Sequence, residues 1–224
     1  MIKKLITLQF AIFLIHFLVS GQGDRSPLAV GWYPQLMFIS GLRADLDVHL
    51  GNSNSWLVIA PQYYLARHHA NDNNDDYYST YDDYESSNRY KNLEGFGLEI
   101  NHRIYITNKL SPEGVYLAYG IMYNHFELTY EDDWGYIEYD GLQAITYGLF
   151  EHNTTIDKLG PNILIGFQKK VLDRVYLDIF CGGGMRYSFT ETSSLSPRYF
   201  NNDPFQFGYT GTVPLAGFRI GIIL

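Results

Sequence analysis

The segment GLRADLDVHL, residues 41–50, carries two kinds of side chain in strict alternation. Apolar residues occupy the even positions from 42 to 50, and Arg43, Asp45, Asp47 and His49 occupy the odd positions between them. An amphipathic helix would gather its apolar residues at spacings of three and four, whereas a period of two is typical of an extended strand with unlike faces. The segment therefore predicts a β-strand with one apolar face and one ionisable face.

The same two-faced alternation recurs along the chain. It is regular in GFGLEINHRIYIT (95–107), VYLDIFCGGGMRY (175–187) and AGFRIGIIL (216–224). Less regular apolar segments fill the intervals between these strands. They cover residues 28–38, 55–69, 115–131 and 155–171. Together the segments predict eight strands, an even number that returns both ends of the chain to one side of a barrel.

The lengths of the connections support this count. Short connections cover residues 51–55, 108–114 and 172–174, and long polar connections cover residues 70–94, 132–154 and 189–206. Short and long connections alternate, which is typical of a membrane β-barrel with turns on one side and loops on the other. The first hairpin, near residues 39–41, is the exception, because it is tight on the side of the long loops.

The beginning of the sequence predicts export. Lys3 and Lys4 precede an apolar run from Leu5 to Val19, and small and polar residues follow. This order is typical of a secretory signal peptide, which we expect over residues 1–22, and the apolar run is short for a membrane helix. Residues 23–224 are then expected to form one barrel domain, since no second apolar run reaches 18 residues.

The composition limits the class of protein further. The formal net charge of -8 disfavours a partner that is a nucleic acid. The single cysteine, Cys181, excludes an intramolecular disulfide. The 20 Tyr, 14 Phe and 21 Gly favour strands, aromatic girdles and tight barrel corners.

A soluble exported barrel of the lipocalin kind is the alternative, since its strands also alternate, with the apolar face inward. In this chain the polar rows mix charges of both signs with glycine, and the apolar rows end in aromatic residues. Both features favour a polar interior and a lipid-facing exterior. We therefore predict an all-β protein, a closed eight-stranded antiparallel transmembrane β-barrel of the bacterial outer membrane.

The sequence resembles the eight-stranded outer-membrane β-barrels of OmpA/OmpX-like architecture, and especially the small Bacteroidetes-type outer-membrane barrel proteins. The resemblance is carried by the SGQ that ends the signal, by LDRVYLDIFCGGGMRY (172–187) and by the closing GFRIGIIL (217–224). It implies a cell-surface protein with a structural or adhesive role. It brings no catalytic residues to this chain.

Nine ionisable side chains of the polar rows are expected to point into the barrel. They are Arg43, Asp45, Asp47, His49, Glu99, Arg103, Asp178, Arg186 and Arg219. The interior of an eight-stranded barrel is just wide enough for side chains to fill it, and each buried charge there needs a partner. We therefore predict a filled lumen packed by a charge network. A porin-like path for protons or ions is the alternative.

The acidic, tyrosine-rich loop NDNNDDYYSTYDDYESSNRY, residues 71–90, offers a weak match to a cation site. Asp72, Asn74, Asp76 and Asp83 have the spacing of oxygen ligands in a calcium loop, although Tyr77 stands where such a loop has glycine. Ca²⁺ or Mg²⁺ at this loop is the one cofactor that the sequence suggests.

Aromatic residues in the acidic loops predict a contact surface, which we assign to Tyr77, Tyr78, Tyr81, Trp134 and Tyr136. Exposed Tyr and Trp among small polar residues are typical of surfaces that bind a protein or a glycan. Outer-membrane lipid and lipopolysaccharide are the other expected partners, and divalent cations would bridge acidic loops to lipopolysaccharide phosphates. Solubilising loops without a partner are the alternative.

A lipid-modifying enzyme, an acyl hydrolase or transferase, is the other class considered. Small outer-membrane lipases pair a serine with a histidine, and the candidates here are His125 on the fifth predicted strand and Ser188 near the end of the seventh. No local motif joins these two residues, so we predict a protein that is not an enzyme.

Overall fold

The structure is a computed structural model that describes residues 28–51, 54–67, 90–106, 112–139, 141–193 and 199–224. The predicted signal peptide, residues 1–22, lies outside the described residues. So do the candidate cation ligands and the first three candidate contact residues, which are Asp72, Asn74, Asp76, Asp83, Tyr77, Tyr78 and Tyr81.

The described chain folds into one closed antiparallel barrel. Each strand is hydrogen-bonded to the next along the chain, and the last is bonded to the first. The strands are β1 (Leu28–Trp32), β2 (Gly41–His49), β3 (Ser55–Arg67), β4 (Asn92–Tyr105), β5 (Gly114–Tyr139), β6 (Leu142–Lys170), β7 (Val175–Thr192) and β8 (Gly211–Ile223). The predicted fold class, a closed barrel of eight antiparallel strands, is confirmed.

The two ends of the barrel differ in their connections. At the short-turn end lie residues 50–54, 106–113 and 171–174, together with Leu28 and Leu224. The Leu224 backbone N–H donates to the Leu28 carbonyl over 2.8 Å. The connections that follow β1, β3, β5 and β7 lie at the opposite end, which we call the long-loop end.

Side chains alternate between the lumen and the exterior, as the period of two predicts. On β2, Asp45, Asp47 and His49 are buried, while Leu42 and Ala44 are exposed. The alternation continues around the wall, because the register sets apolar residues side by side on the exterior. Leu46 lies opposite Ile59, Ile59 opposite Ile100, and Ile100 opposite Ile121.

The first strand is shorter than predicted. A strand over residues 28–38 is wrong beyond Trp32, because Pro34 opens a short 3₁₀ helix, Pro34–Ile39. Proline has no N–H for a strand ladder and suits the first turn of a helix. Ser40 ends the helix in the left-handed region, with φ of 58°. No helix among the described residues is long and apolar enough to span a membrane.

The fifth connection is also different from the prediction. Residues 132–154 are not a loop: β5 and β6 continue to a tight turn at Gly141, where φ is +76°. Pairing with β4 ends at Thr129 of β5 and pairing with β7 ends at Thr154 of β6, so the segments beyond are hydrogen-bonded to each other. This two-stranded ribbon extends roughly 30 Å past the barrel wall, at about 3.3 Å per residue.

Candidate functional site in the barrel lumen

Seven of the nine predicted lumenal charges form one connected group, which we call the network. Its members are Arg43, Asp45, Asp47, Glu99, Arg103, Asp178 and Arg219. They come from β2, β4, β7 and β8, whose inward rows meet across the lumen. The other two predicted residues, His49 and Arg186, also lie in the lumen but make different contacts.

Arg219 is the centre of the network. Its side chain is 1% exposed and meets three carboxylates. Its Nη1 donates to Asp45 over 2.7 Å and to Asp47 over 3.1 Å, and its Nη2 donates to Asp178 over 2.5 Å. Because an isolated buried charge is costly, this packing depends on all partners being present.

Two further arginines extend the network to either side. Arg43 donates to Asp45 over 2.6 Å and to Glu99 over 2.5 Å. Arg103 lies 3.3 Å from the Asp47 carboxylate and 3.5 Å from that of Asp178. Three guanidinium groups thus face four carboxylates in the narrow interior of the barrel.

Aromatic side chains surround the network toward the short-turn end. Tyr116 donates its hydroxyl to Asp178 over 2.8 Å, and the Arg103 guanidinium lies 4.2 Å from the centre of the Tyr116 ring. The ring fits because the inward residue opposite is Gly166, where a β-carbon would overlap the tyrosine. This part of the lumen, which we call the network half, also contains the cluster of Trp56, Tyr105, Tyr116, Ala118, Leu164 and Phe180.

His49 belongs to the same half but lies nearer the short-turn end. The side chain is buried, and its ring lies 5.0 Å from that of Trp56 between centroids. The structure places His49 in the lumen, packed against Trp56.

The half of the lumen toward the long-loop end is not filled, contrary to the prediction. It contains a cavity of about 340 Å³, which we call the outer cavity, and Arg103, Tyr116 and Arg219 of the network half also line it. Glycine occupies several inward positions near the cavity, at residues 97, 160, 182 and 184. At each of them a β-carbon would meet the neighbouring strand or the side chain of Asn124 or Arg186, so these glycines permit close packing within the wall.

Two cations line the outer cavity without a carboxylate partner among the described residues. The Arg186 Nη1 donates to the backbone carbonyls of Met185, over 3.0 Å, and Pro161, over 3.4 Å. The Lys158 Nζ donates to the carbonyl of Gln206 over 3.0 Å. Both side chains are more than nine-tenths buried. Lys158 is a lumenal cation that the pattern of alternation did not single out.

Polar amides complete the wall of the outer cavity. Gln62 and Asn124 line it together with Asn101, and the Oδ1 atoms of both asparagines are buried without a hydrogen-bond partner. Above the cavity, residues 199–210 fold into the mouth of the barrel, where Phe200 is buried. Its neighbours there are Leu36, Tyr64, Ala66, Leu93, Phe126, Leu128, Tyr130 and Ile156.

The candidate catalytic pair is not brought together. His125 lies on the exterior of β5, where its Nδ1 is 2.9 Å from the Asp157 carboxylate. Ser188 is on the inward row of β7 and donates its hydroxyl to the Tyr209 carbonyl over 2.9 Å. Because the two side chains lie on opposite faces of the wall, this pair cannot act as nucleophile and base.

A rim of polar side chains surrounds the exterior at the long-loop end. Asp157 accepts hydrogen bonds from Tyr123, over 2.6 Å, and from His125. Lys91 donates to Glu131 over 2.8 Å and to Glu151 over 3.3 Å, and these hydrogen bonds raise the pKa of Lys91. The acidic residues at the base of the ribbon therefore share one lysine.

Trp134 and Tyr136, the remaining candidate contact residues, lie in β5 within the ribbon, opposite Tyr147 and Ile145. They are thus strand residues and not loop residues, because the acidic segment continues the pairing of β5 with β6. No group of three His, Cys, Asp or Glu side chains in the described part of the chain is placed to hold a metal ion.

The combination of an apolar exterior and a charged, buried interior defines the class: a β-barrel of the membrane type. No protein-family model and no curated protein matches the sequence. The N-terminal β-barrel domain of Pseudomonas aeruginosa OprF matches at 11% identity and a TM-score of 0.37, over 89% of this chain and 98% of that one. Acinetobacter baumannii CarO2 matches at 14% identity and a TM-score of 0.35, over 90% and 99%. CarO of the same organism matches at 12% identity and a TM-score of 0.35, over 89% of this chain and 96% of that one.

Proposed function

We propose that this chain is a non-enzymatic barrel of the bacterial outer membrane, with a structural and surface-interaction role. One observation carries the proposal: the strands turn charges inward and large apolar side chains outward. Ile163 is 61% exposed and Ile179 66% exposed on the exterior of neighbouring strands. A soluble barrel would place these side chains inside, because soluble proteins rarely expose large contiguous apolar patches.

The height of the apolar exterior suits a bilayer. On β5 the exterior row from Val115 to Tyr123 carries no charge, and Glu127 follows beyond His125. Nine to eleven tilted residues are about what a transmembrane strand needs. Closure of the sheet pairs the backbone groups of neighbouring strands along most of that span, which is the condition for strands in lipid. His102, a polar residue on this face, is 2.8 Å from the Tyr119 hydroxyl and so has a partner there.

The network supports a structural role for the lumen. In the network half the charges pair with one another and aromatic rings fill the space around them, so this half closes the barrel. A porin-like path is disfavoured by this packing, since the interior of an eight-stranded barrel has no room for a wide pore beside such side chains.

The ribbon supports the surface-interaction role. Ile145, Tyr147 and Leu149 are between 62% and 73% exposed on one face of β6, beyond the polar rim. We propose that the long-loop end faces the outside of the cell and that this face of the ribbon contacts a surface protein or glycan. Acidic residues 71–90 would meet lipopolysaccharide phosphates through Ca²⁺ or Mg²⁺, and a Bacteroidetes source stays part of the proposal.

Cell fractionation tests the location. We expect the chain in the outer-membrane fraction, with a gel mobility that changes on heating, as for a barrel that resists detergent until heated. Recovery of the chain from the soluble periplasm would overturn the proposal.

Lipid A analysis tests the absence of enzymatic activity. Unaltered lipid A in a deletion strain is expected for a protein that is not an acyl hydrolase or transferase, and altered lipid A would favour the enzyme alternative.

A pair of epitope tags tests the orientation. One tag is inserted at Gly141, in the exposed turn of the ribbon, and the matched tag at Asp173, in an exposed turn of the short-turn end. Exposed turns tolerate such insertions. On intact cells we expect antibody to bind the Gly141 tag and to reach the Asp173 tag after permeabilisation. The reverse pattern of antibody binding would place the long-loop end on the periplasmic side of the membrane.

A further inference from the structure

The barrel wall has an incomplete seam between β1 and β8. The pairing of these two strands covers residues 29–32 and 220–223. On its other side β8 stays paired with β7 as far as Gly211. Toward the long-loop end, the 3₁₀ helix Pro34–Ile39 therefore takes the place of a strand beside residues 211–219 of β8.

Side chains, and not a strand ladder, close this seam. The Tyr33 hydroxyl donates to the Ala216 carbonyl over 3.5 Å, at the limit of a hydrogen bond. The Tyr33 ring stacks on Phe180 at 5.8 Å between centroids. Two residues before Ala216, Pro214 has no N–H to offer to a neighbouring strand. The seam is thus held by one aromatic side chain and its contacts, which can separate at a lower cost than a ladder of backbone hydrogen bonds.

The outer cavity extends to the seam. Its lining includes Pro214 and Ala216, which are exposed and belong to the exterior row of β8, and Ile39 of the 3₁₀ helix, which is 45% exposed. The same cavity is lined by Lys158 and Arg186 from the interior. Because residues of both rows line one space, the cavity reaches the seam, where no ladder between β1 and β8 separates it from the exterior.

The side chains that line the outer cavity change from apolar beside the seam to cationic farther inside. The outer part is bordered by Ile39, Leu215 and Ala216, and the inner part holds Lys158 and Arg186. The carboxylates of Asp45 and Glu99 also line the cavity, but Arg43 and Arg219 already pair with them. The unpaired charge facing the cavity is therefore positive, and the buried amide oxygens of Asn101 and Asn124 are free to accept from hydroxyl groups.

We propose that the outer cavity binds an anionic amphiphile with a single alkyl chain, which enters from the membrane through the seam. The carboxylate or phosphate of the headgroup binds Lys158 and Arg186, and the alkyl chain lies between the 3₁₀ helix and β8. A free fatty acid and a lysophospholipid share this chemistry. The site goes beyond the proposed structural role and rests on the membrane location, which fractionation tests separately.

The binding test uses the full chain in phosphatidylcholine nanodiscs and a palmitate that carries a photoreactive diazirine in its alkyl chain. Irradiation should label residues 34–39 and 211–219, as mapped by mass spectrometry, and unlabelled palmitate should compete. Lysophosphatidylglycerol separates the two sources, since stronger competition by it identifies a lysophospholipid. Equal competition by hexadecanol would overturn the anionic site, and equal competition by inorganic phosphate would overturn the role of the alkyl chain.

Variants assign the headgroup contacts. Arg186→Gln and Lys158→Gln should each weaken competition by palmitate tenfold or more. Lys170→Gln, on the same strand as Lys158 but exposed at the short-turn end, should leave it unchanged. Heat-modifiable gel mobility checks that each variant has folded. Two folded variants that bind palmitate as tightly as the wild type would overturn the proposal.

The route is tested by blocking the seam. Ala216→Trp, and the milder Ala216→Leu, should slow labelling at least fivefold. Ile121→Trp places the same bulk on the exterior of β5, across the ring from β1 and β8, and should leave the rate unchanged. If both Ala216 variants fold and label at the wild-type rate, the ligand does not pass through the seam.

Discussion

The two halves of the lumen use similar residues with opposite results. In the network half, Arg219 is held by three carboxylates and aromatic rings fill the space around it. In the cavity half, Arg186 is equally part of an inward row, yet its described contacts are to backbone carbonyls beside a cavity of about 340 Å³. The comparison shows that a buried arginine in a barrel is structural only where its partners converge on it.

Glycine accounts for much of this difference. In the network half, a glycine such as Gly166 lies directly under a tyrosine ring, so the missing side chain is replaced by the neighbour's. In the cavity half, a β-carbon at Gly182 would meet the Ile163 carbonyl of the neighbouring strand, and one at Gly184 would meet the Arg186 side chain. The same residue type thus makes room for an aromatic ring in one half and for a neighbouring backbone or a cation in the other.

Substitution of the two arginines is expected to give the largest contrast. Arg219→Met should reduce the free energy of unfolding by about 3–5 kcal/mol, because it leaves three carboxylates buried without their central partner. Arg186→Met should change it by less than about 1 kcal/mol, since no carboxylate is left unpaired. Urea unfolding in lipid vesicles, followed by gel mobility, measures both. Equal losses would remove the distinction between the two halves.

Removal of a single hydroxyl group tests the same contrast at a smaller scale. Tyr116→Phe takes away the donor to the buried Asp178 carboxylate and should cost about 1.5–3 kcal/mol. Tyr64→Phe, in the wall of the outer cavity, removes a hydrogen bond donated to the neutral Gln62 and one accepted from Asn124, whose side chain can turn into the cavity, and should cost about 0.5–1.5 kcal/mol. The same unfolding measurement applies. A larger loss of unfolding free energy for Tyr64→Phe than for Tyr116→Phe would mean that the hydrogen bonds of the cavity half contribute more to stability than those of the network half.

Added volume provides a test of packing that does not depend on charge. Gly166→Ala should cost about 1–3 kcal/mol, since its β-carbon would overlap the buried Tyr116 ring. Gly97→Ala should cost less than about 1 kcal/mol, because its β-carbon would meet the side chain of Asn124, which can move into the outer cavity. A greater loss for Gly97→Ala would show that the outer cavity is rigid.

The alternation of residues was sufficient to predict which side chains enter the lumen, because the period of a strand fixes the face of each residue. It could not predict partners, since these depend on the stagger between strands that are distant in sequence. Arg219 and Asp45, for example, are 174 positions apart. The outer cavity was missed for the same reason: residues of the 3₁₀ helix and of several strands line it, and the register brings them together.

Local sequence signals failed where they were read by composition alone. Residues 132–154 are acidic and were predicted as a loop, although β-branched and aromatic residues such as Ile137, Ile145 and Tyr147 recur there and favour strands. Pro34 lies inside the first predicted strand although proline cannot donate to a strand ladder, and a helix begins at that residue. The polar rim offered no signal of its own, because His125 and Asp157 come together through pairing of β5 with β6.

The His125–Asp157 pair at this rim is a third, more exposed setting for a charge, and we expect the smallest effect there. Burial would lower the pKa of His125, but the hydrogen bond and charge of Asp157, with a contribution from Glu127, hold it above the usual value of about 6.5. Hydrogen bonds from Tyr123 and His125 lower the pKa of Asp157.

The raised pKa of His125 stabilises the fold below about pH 6.5, and this contribution is lost as the pH rises through the pKa of the folded state. The Asp157 contribution is present above about pH 4 and is lost as the pH falls through its lowered pKa. The pair should therefore stabilise the barrel most between these values. NMR titration of the His125 ring should give a pKa above 6.5, and Asp157→Asn should lower it more than Glu127→Gln does. If neither substitution moves the pKa, the His125 ring is not coupled to these carboxylates, and this pair contributes no pH-dependent stability.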